Sequence, residues 1–145
     1  MSATPAVQHM GPLRATASPE VVAAFRLATG WREAEGPPPA SFPVIVMNLP
    51  EIGGAVRAAA HEVGLPVHEA QHFEYVRPIQ LGESYDLMLE FRREHEPARL
   101  IVTAEVFATD GARVGRIVST LRLIDPAAIP GAAIPGADSQ GATRP

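Results

Sequence analysis

From Gln71 to Ile124 the sequence keeps a period of two, broken only by turns, and this restricts the chain to an antiparallel sheet. Four strands are expected: Gln71–Ile79, Ser84–Glu94, Arg99–Thr109 and Arg113–Ile124. In the second, Tyr85, Leu87, Leu89 and Phe91 alternate with Asp86, Met88, Glu90 and Arg92, giving one apolar and one mostly polar face. In the third, Leu100, Val102, Ala104, Val106 and Ala108 share a face, with Ile101 and Phe107 opposite, so cover on both sides is expected. Asp110-Gly111 is a hairpin signal, because its turn needs the positive φ that Gly adopts freely. Gln80-Leu81-Gly82-Glu83 is expected to close the first pair, making a four-stranded meander.

Helical signals come before the strands. Ser18 suits an N-cap, Pro19 the first turn and Glu20 the positive end of the helix dipole. Val21, Ala24, Phe25 and Ala28 are expected to face the core, and Gly30 ends the helix. A proline-rich loop follows, and then Ser41-Phe42-Pro43-Val44-Ile45-Val46-Met47-Asn48-Leu49, which is apolar almost all round. Periodicity leaves helix and strand open; Pro43 and Pro50 favour a short buried helix that Pro50 ends or kinks. Glu51 to Val63 predicts an amphipathic helix, with Ile52, Val56, Ala59, Ala60 and Val63 inward and Gly64 stopping it.

The chain has 145 residues, a net charge of −4 and only 6% aromatics, enough for one domain with an aliphatic core. No basic cluster supports nucleic-acid binding. The absence of cysteine removes disulfides, thiolate catalysis and Cys-ligated zinc, and fits a cytoplasmic setting. No apolar run reaches the roughly 20 residues of a membrane span, and no signal-peptide order opens the sequence. The reading is therefore of a soluble protein with no membrane or nucleic-acid partner. Residues 1–11 are expected to be flexible, 12–125 to form the domain, and 126–145, with its repeated Ala-Ala-Ile-Pro-Gly, to be a disordered tail.

A helix without a polar face must be buried on every side. A curved antiparallel sheet wrapped around it achieves this, and a strand near Pro12–Ala15 would supply a fifth member. The expected class is α+β, a single hot-dog domain with a buried central helix.

The residues also resemble a family. Phe73-Glu74-Tyr75-Val76-Arg77-Pro78-Ile79-Gln80-Leu81-Gly82-Glu83 resembles the strand-turn signature of the MaoC-like dehydratases. Pro38-Pro39-Ala40-Ser41-Phe42-Pro43-Val44 resembles the lead-in to that family's central helix, and the Asp110-Gly111 hairpin sits where the family has one. The likeness runs from about Ser18 to Ile124, and is strongest to the N-terminal or non-catalytic halves of 3-hydroxyacyl thioester dehydratases. It implies an acyl-CoA or acyl-carrier-protein thioester as ligand and reversible hydration of a 2-enoyl group. It also implies a homodimer or a heterodimer with another hot-dog subunit, and no cofactor.

Catalytic members of the family carry an Asp and a His after the first helix. Here Trp31 stands at the Asp position, the loop continues Arg32-Glu33-Ala34-Glu35-Gly36, and no His follows at the family's spacing. The resemblance therefore transfers no catalytic residue. It leaves the amide donors around Ser41 and Phe42, which could polarise a thioester carbonyl. The chain is thus expected to shape the acyl tunnel and pair with a catalytic partner. The alternatives are an active homodimeric dehydratase or thioesterase with rearranged residues, and a non-enzymatic acyl-binding protein.

Four residues could supply a replacement acid or amide: Glu33, Glu35, Asn48 and Glu51. Solvated carboxylates, a helix cap and a core amide are the ordinary readings of these positions. Trp31, Ser41, Phe42 and Arg77 are the candidate substrate-binding residues, although a lone Trp after a helix is more often a packing anchor. His9 and His95 read as solvated, and His61 suits the negative end of its helix. His72 shares a face with Glu74, for which cross-strand pairing is the commoner explanation. His68 and His72 have helical spacing outside a helix, so no metal site is expected.

Overall fold

A computed structural model describes residues 7–61, 63–129 and 131. Strand β1 spans Val7–Thr16, helix α1 Pro19–Ala28, and a 3₁₀ helix Phe42–Asn48. Helix α2 covers Pro50–His61, and β2 to β5 cover Leu65–Tyr75, Ser84–His95, Ala98–Ala108 and Arg113–Ile124. All pairings are antiparallel, in the order β1-β3-β4-β5-β2.

The alternation of β3, β4 and β5 is realised as read. Leu87, Leu89, Leu100, Val102 and Val106 are 1–3% exposed and join Ile117 and Leu121 in one core. Burying each such side chain is worth roughly 1.5–3 kcal/mol, so this face sets the register. Ile52, Val56 and Ala60 of α2 and Phe42 and Val46 of the 3₁₀ helix cover it. Ile101 is buried but lies outside that cluster, on the outer face. There Glu105 takes hydrogen bonds from Arg113 and Arg116, and Glu69 from Arg99. Burial alone would raise the Glu105 carboxyl; the two arginines outweigh it and hold it below the ordinary value. Bonding to Arg99 lowers Glu69 likewise. On this face Ile101 is buried and Phe107 half-buried, alongside these charged pairs.

The meander is three strands, not four. β2 pairs with β5 at one edge, while the second side of β3 is taken by β1. Gln80–Glu83 consequently closes no hairpin and instead crosses towards the other edge. There Ala17 N–H donates to the Glu83 carbonyl and Gly82 N–H to the Ala17 carbonyl. β2 starts at Leu65 and stops at Tyr75. The N–H groups of Val76 and Arg77 both turn to the carbonyl of Val114, at an irregularity in the β4–β5 register, and Pro78 has no N–H to continue the ladder. Residues 7–11, expected to be flexible, are the first half of β1.

The apolar segment is the short helix expected, in 3₁₀ form. Val44 N–H donates to Ser41 and Leu49 N–H to Val46, Pro43 lacks a donor, and three β-branched residues follow it. Pro50 opens α2, which is a first-turn role and not a stop. α1 is capped by Ser18 as read, but turned differently: Val22 and Arg26 are buried and Phe25 partly so, while Val21, Ala24 and Ala28 are exposed. Adjacent valines at 21 and 22 left the face ambiguous, and the buried side chain at 26 is a charged one.

Asp125 caps a 3₁₀ turn at Pro126–Ala128 through the Ala127 N–H. The remainder of the expected tail, residues 130 and 132–145, and residues 1–6 lie outside the described residues.

Gly64, between α2 and β2, has φ +153°, and a Cβ there would stand 2.1 Å from the Ile124 carbonyl oxygen. Gly64→Ala is expected to cost on the order of 2–4 kcal/mol in urea unfolding, since both the backbone conformation and the packing must yield. An unchanged midpoint would contradict this packing.

Candidate functional site

The 3₁₀ helix does not close completely on the sheet. Beneath it lies a narrow slot of about 50 Å³, floored by Tyr85, Leu87, Val106 and Ile117. Phe42, Pro43, Ile45 and Val46 form its roof, and Ala15–Ala17 and Ile79 its sides. Leu87 and Val106 are cross-strand partners, which fixes the floor. Tyr85 is the one titratable lining residue. Its hydroxyl accepts from Gln80 N–H and donates to Glu83, so the polar end points to the turn. Burial, assisted by Glu83, raises this phenol against the pull of the Gln80 amide and the Arg77 charge, which keeps it neutral near pH 7.

Ile79 also borders a wider depression of about 240 Å³, with Pro38, Pro39, Ala40, Tyr75 and Pro78. The Tyr75 hydroxyl donates to the Ala40 carbonyl, tying β2 to the loop before the 3₁₀ helix. Burial raises the Tyr75 phenol too, and its ring stacks on Phe73 at 6.2 Å. The irregularity at Val114 is what places this mouth, since it turns Val76 and Arg77 off the sheet and brings Pro78 and Ile79 across.

The loop after α1 is built around Arg26. This guanidinium is 5% exposed, donates to the carbonyls of Glu33 and Pro37, and lies 4.3 Å from the centre of the Trp31 ring. Gly36 approaches it so closely that a Cβ would stand 2.8 Å from its Cζ. A buried cation needs such partners, because its desolvation cost is otherwise large. Trp31 is thus a half-exposed lid on an arginine, and Glu33 contributes its carbonyl. Phe25 packs edge-on against Phe42, at 5.5 Å, and joins α1 to the roof.

Of the residues singled out from sequence, Phe42 lines the slot and Arg77 acts electrostatically on Tyr85. Ser41 is exposed and makes no side-chain cap. The Phe42 N–H donates to the Pro39 carbonyl, so one expected carbonyl-polarising donor is already engaged. Glu33, Glu35, Asn48 and Glu51 are all exposed, and none lines the slot or its mouth. All five histidines are exposed. Among the described residues no group of three or more His, Cys, Asp or Glu side chains could hold a metal, and no helix is long and apolar enough to cross a membrane. Sequence reasoning missed Arg26, Ile79 and Tyr85. Arg26 lies on α1 and Trp31 beyond its end, five residues on, so no helical spacing signalled the pair.

The curved sheet, its covering helices and the slot between them define a single-domain α+β protein of the hot-dog fold. No protein-family model matches the chain, and no curated protein matches it by sequence. Solved structures do. The chain is similar to the C-terminally truncated HadBC (3R-hydroxyacyl-ACP dehydratase) complex of Mycobacterium tuberculosis, with a TM-score of 0.61 and 15% identity over 81% of this chain and 95% of that one. It is also similar to a hot-dog-like protein of Thermanaerovibrio acidaminovorans, with a TM-score of 0.55 and 14% identity over 83% and 82% of the two chains. At these identities the likeness is one of fold.

Arg26→Met should free the loop. The expected result is a loss of about 1–3 kcal/mol of stability with a fall in the fluorescence anisotropy of Trp31, the one tryptophan. Unchanged anisotropy would mean that the loop is held by other contacts.

Proposed function

We propose that this chain is a subunit of a hot-dog 3-hydroxyacyl/2-enoyl thioester hydratase-dehydratase, shaping the acyl tunnel while a second hot-dog chain supplies the acid-base groups. One observation carries the reading: the slot is apolar but for Thr16 and Tyr85, and neither a carboxylate nor a histidine lines it. Hydration of an enoyl thioester adds water across C2–C3. It needs a base to activate the water and donors to hold the developing enolate oxygen. A slot without a base can receive the acyl chain but cannot perform this chemistry alone. The similar HadBC structure is a dehydratase complex, which supports placing the missing groups on a partner. The free edge of β2, with Leu65 and Val67 half-exposed, is the proposed pairing surface.

Relocated catalysis in a homodimer, whether by a dehydratase or a thioesterase, would call on Glu33, Glu35, Asn48 or Glu51. Their exposure away from the slot disfavours it. Trp31 belongs with the Arg26 loop in this proposal, whereas Phe42 and Arg77 belong with the slot and its border. The ligand is an acyl thioester on coenzyme A or an acyl carrier protein.

The test is hydration of crotonyl-CoA by the purified chain, followed as loss of enoyl thioester absorbance. The expected outcome is a rate indistinguishable from buffer while the thioester still binds. Turnover near the ordinary enzymatic range of about 1–10³ s⁻¹ would overturn the division of labour and direct mutagenesis to the four exposed residues.

A further inference from the structure

The slot is small, and its volume limits what can enter it. Resting on the acyl-thioester reading above, we infer that the site selects short acyl chains of about four carbons. A water-sized group needs roughly 10–15 Å³ of cavity, so about 50 Å³ accommodates some four such groups. The wider mouth, about 240 Å³ and walled by prolines, suits the thioester and the start of the carrier arm. Ile79 stands at the junction, bordering both spaces.

The floor cannot deepen readily. Leu87, Val106 and Ile117 are 2–4% exposed and sit on three neighbouring, mutually paired strands. A longer chain would have to displace close-packed strands. The roof is softer. Ile45 is only half-buried and belongs to the 3₁₀ helix, so it is the lining side chain whose size can change at least cost to the core. It is the proposed length-determining residue.

Each buried methylene is worth roughly fourfold in affinity. Binding of acetyl-, butyryl-, hexanoyl-, octanoyl- and dodecanoyl-CoA to the full chain, each kept below its critical micelle concentration, measures where that gain stops. The expected series tightens about fifteenfold from acetyl to butyryl and weakens from hexanoyl onward. Ile45→Ala should move the optimum to hexanoyl or octanoyl, while Ile45→Phe, which fills the slot, should weaken butyryl-CoA at least tenfold. Thermal melts of both variants confirm folding, and their opposite directions separate slot geometry from general damage. Affinity that keeps rising to dodecanoyl-CoA would overturn the length limit and leave the thioester reading intact. Butyryl-CoA binding no tighter than free coenzyme A would overturn both.

Discussion

The inner face of β3, β4 and β5 has to be covered, and the rest of the molecule follows from how that is done. Leu87, Leu89, Leu100, Val102 and Val106 present a continuous aliphatic floor that no water-facing arrangement of this chain could tolerate. The covering elements differ in kind. α2 packs through Ile52, Val56 and Ala60 at regular helical spacing, and its small residues allow a close approach. The 3₁₀ helix is tighter and shorter, and it carries Pro43 and three β-branched side chains that interdigitate less completely. The slot opens under this poorer-fitting element. The same conflict between local backbone preference and burial thus creates the candidate site.

The second determinant is the loop between α1 and the 3₁₀ helix. In catalytic relatives of the family that the sequence resembles, this region holds the acid and the histidine. Here its volume is taken by a buried guanidinium, an indole ring and a close glycine. Two carbonyls and a π face compensate the Arg26 charge, so the loop is committed to holding its own shape. Through Phe25 against Phe42 the ordering reaches the slot roof. The buried guanidinium and the fixed loop are therefore two aspects of one packing solution.

How much of this could be read in advance depended on how local the signal was. The Asp110-Gly111 turn, the Ser18 cap and the inward set of β4 were legible, because each follows from a few neighbouring residues. The pairing of β2 with β5 was not. It depends on β1 occupying the other side of β3, and β1 carries too mixed a sequence to announce a strand of its full length. The face of α1 was misread because a charged residue is buried there by carbonyls that lie beyond the helix in sequence. Of the candidate site, Phe42 and Arg77 were singled out from the sequence, whereas Ile79 and Tyr85 were not. The slot itself was not, because it exists where two elements fail to fit, and period-two or helical patterns do not report that.

The most direct test is methyl NMR of the isoleucine- and valine-labelled chain titrated with butyryl-CoA. The account predicts that the methyls of Ile45, Ile79, Val106 and Ile117, which line the slot, shift together in a saturable way while Ile101 on the outer face stays still. Saturable binding that leaves those four unmoved and perturbs the indole of Trp31 or the outer face would contradict it.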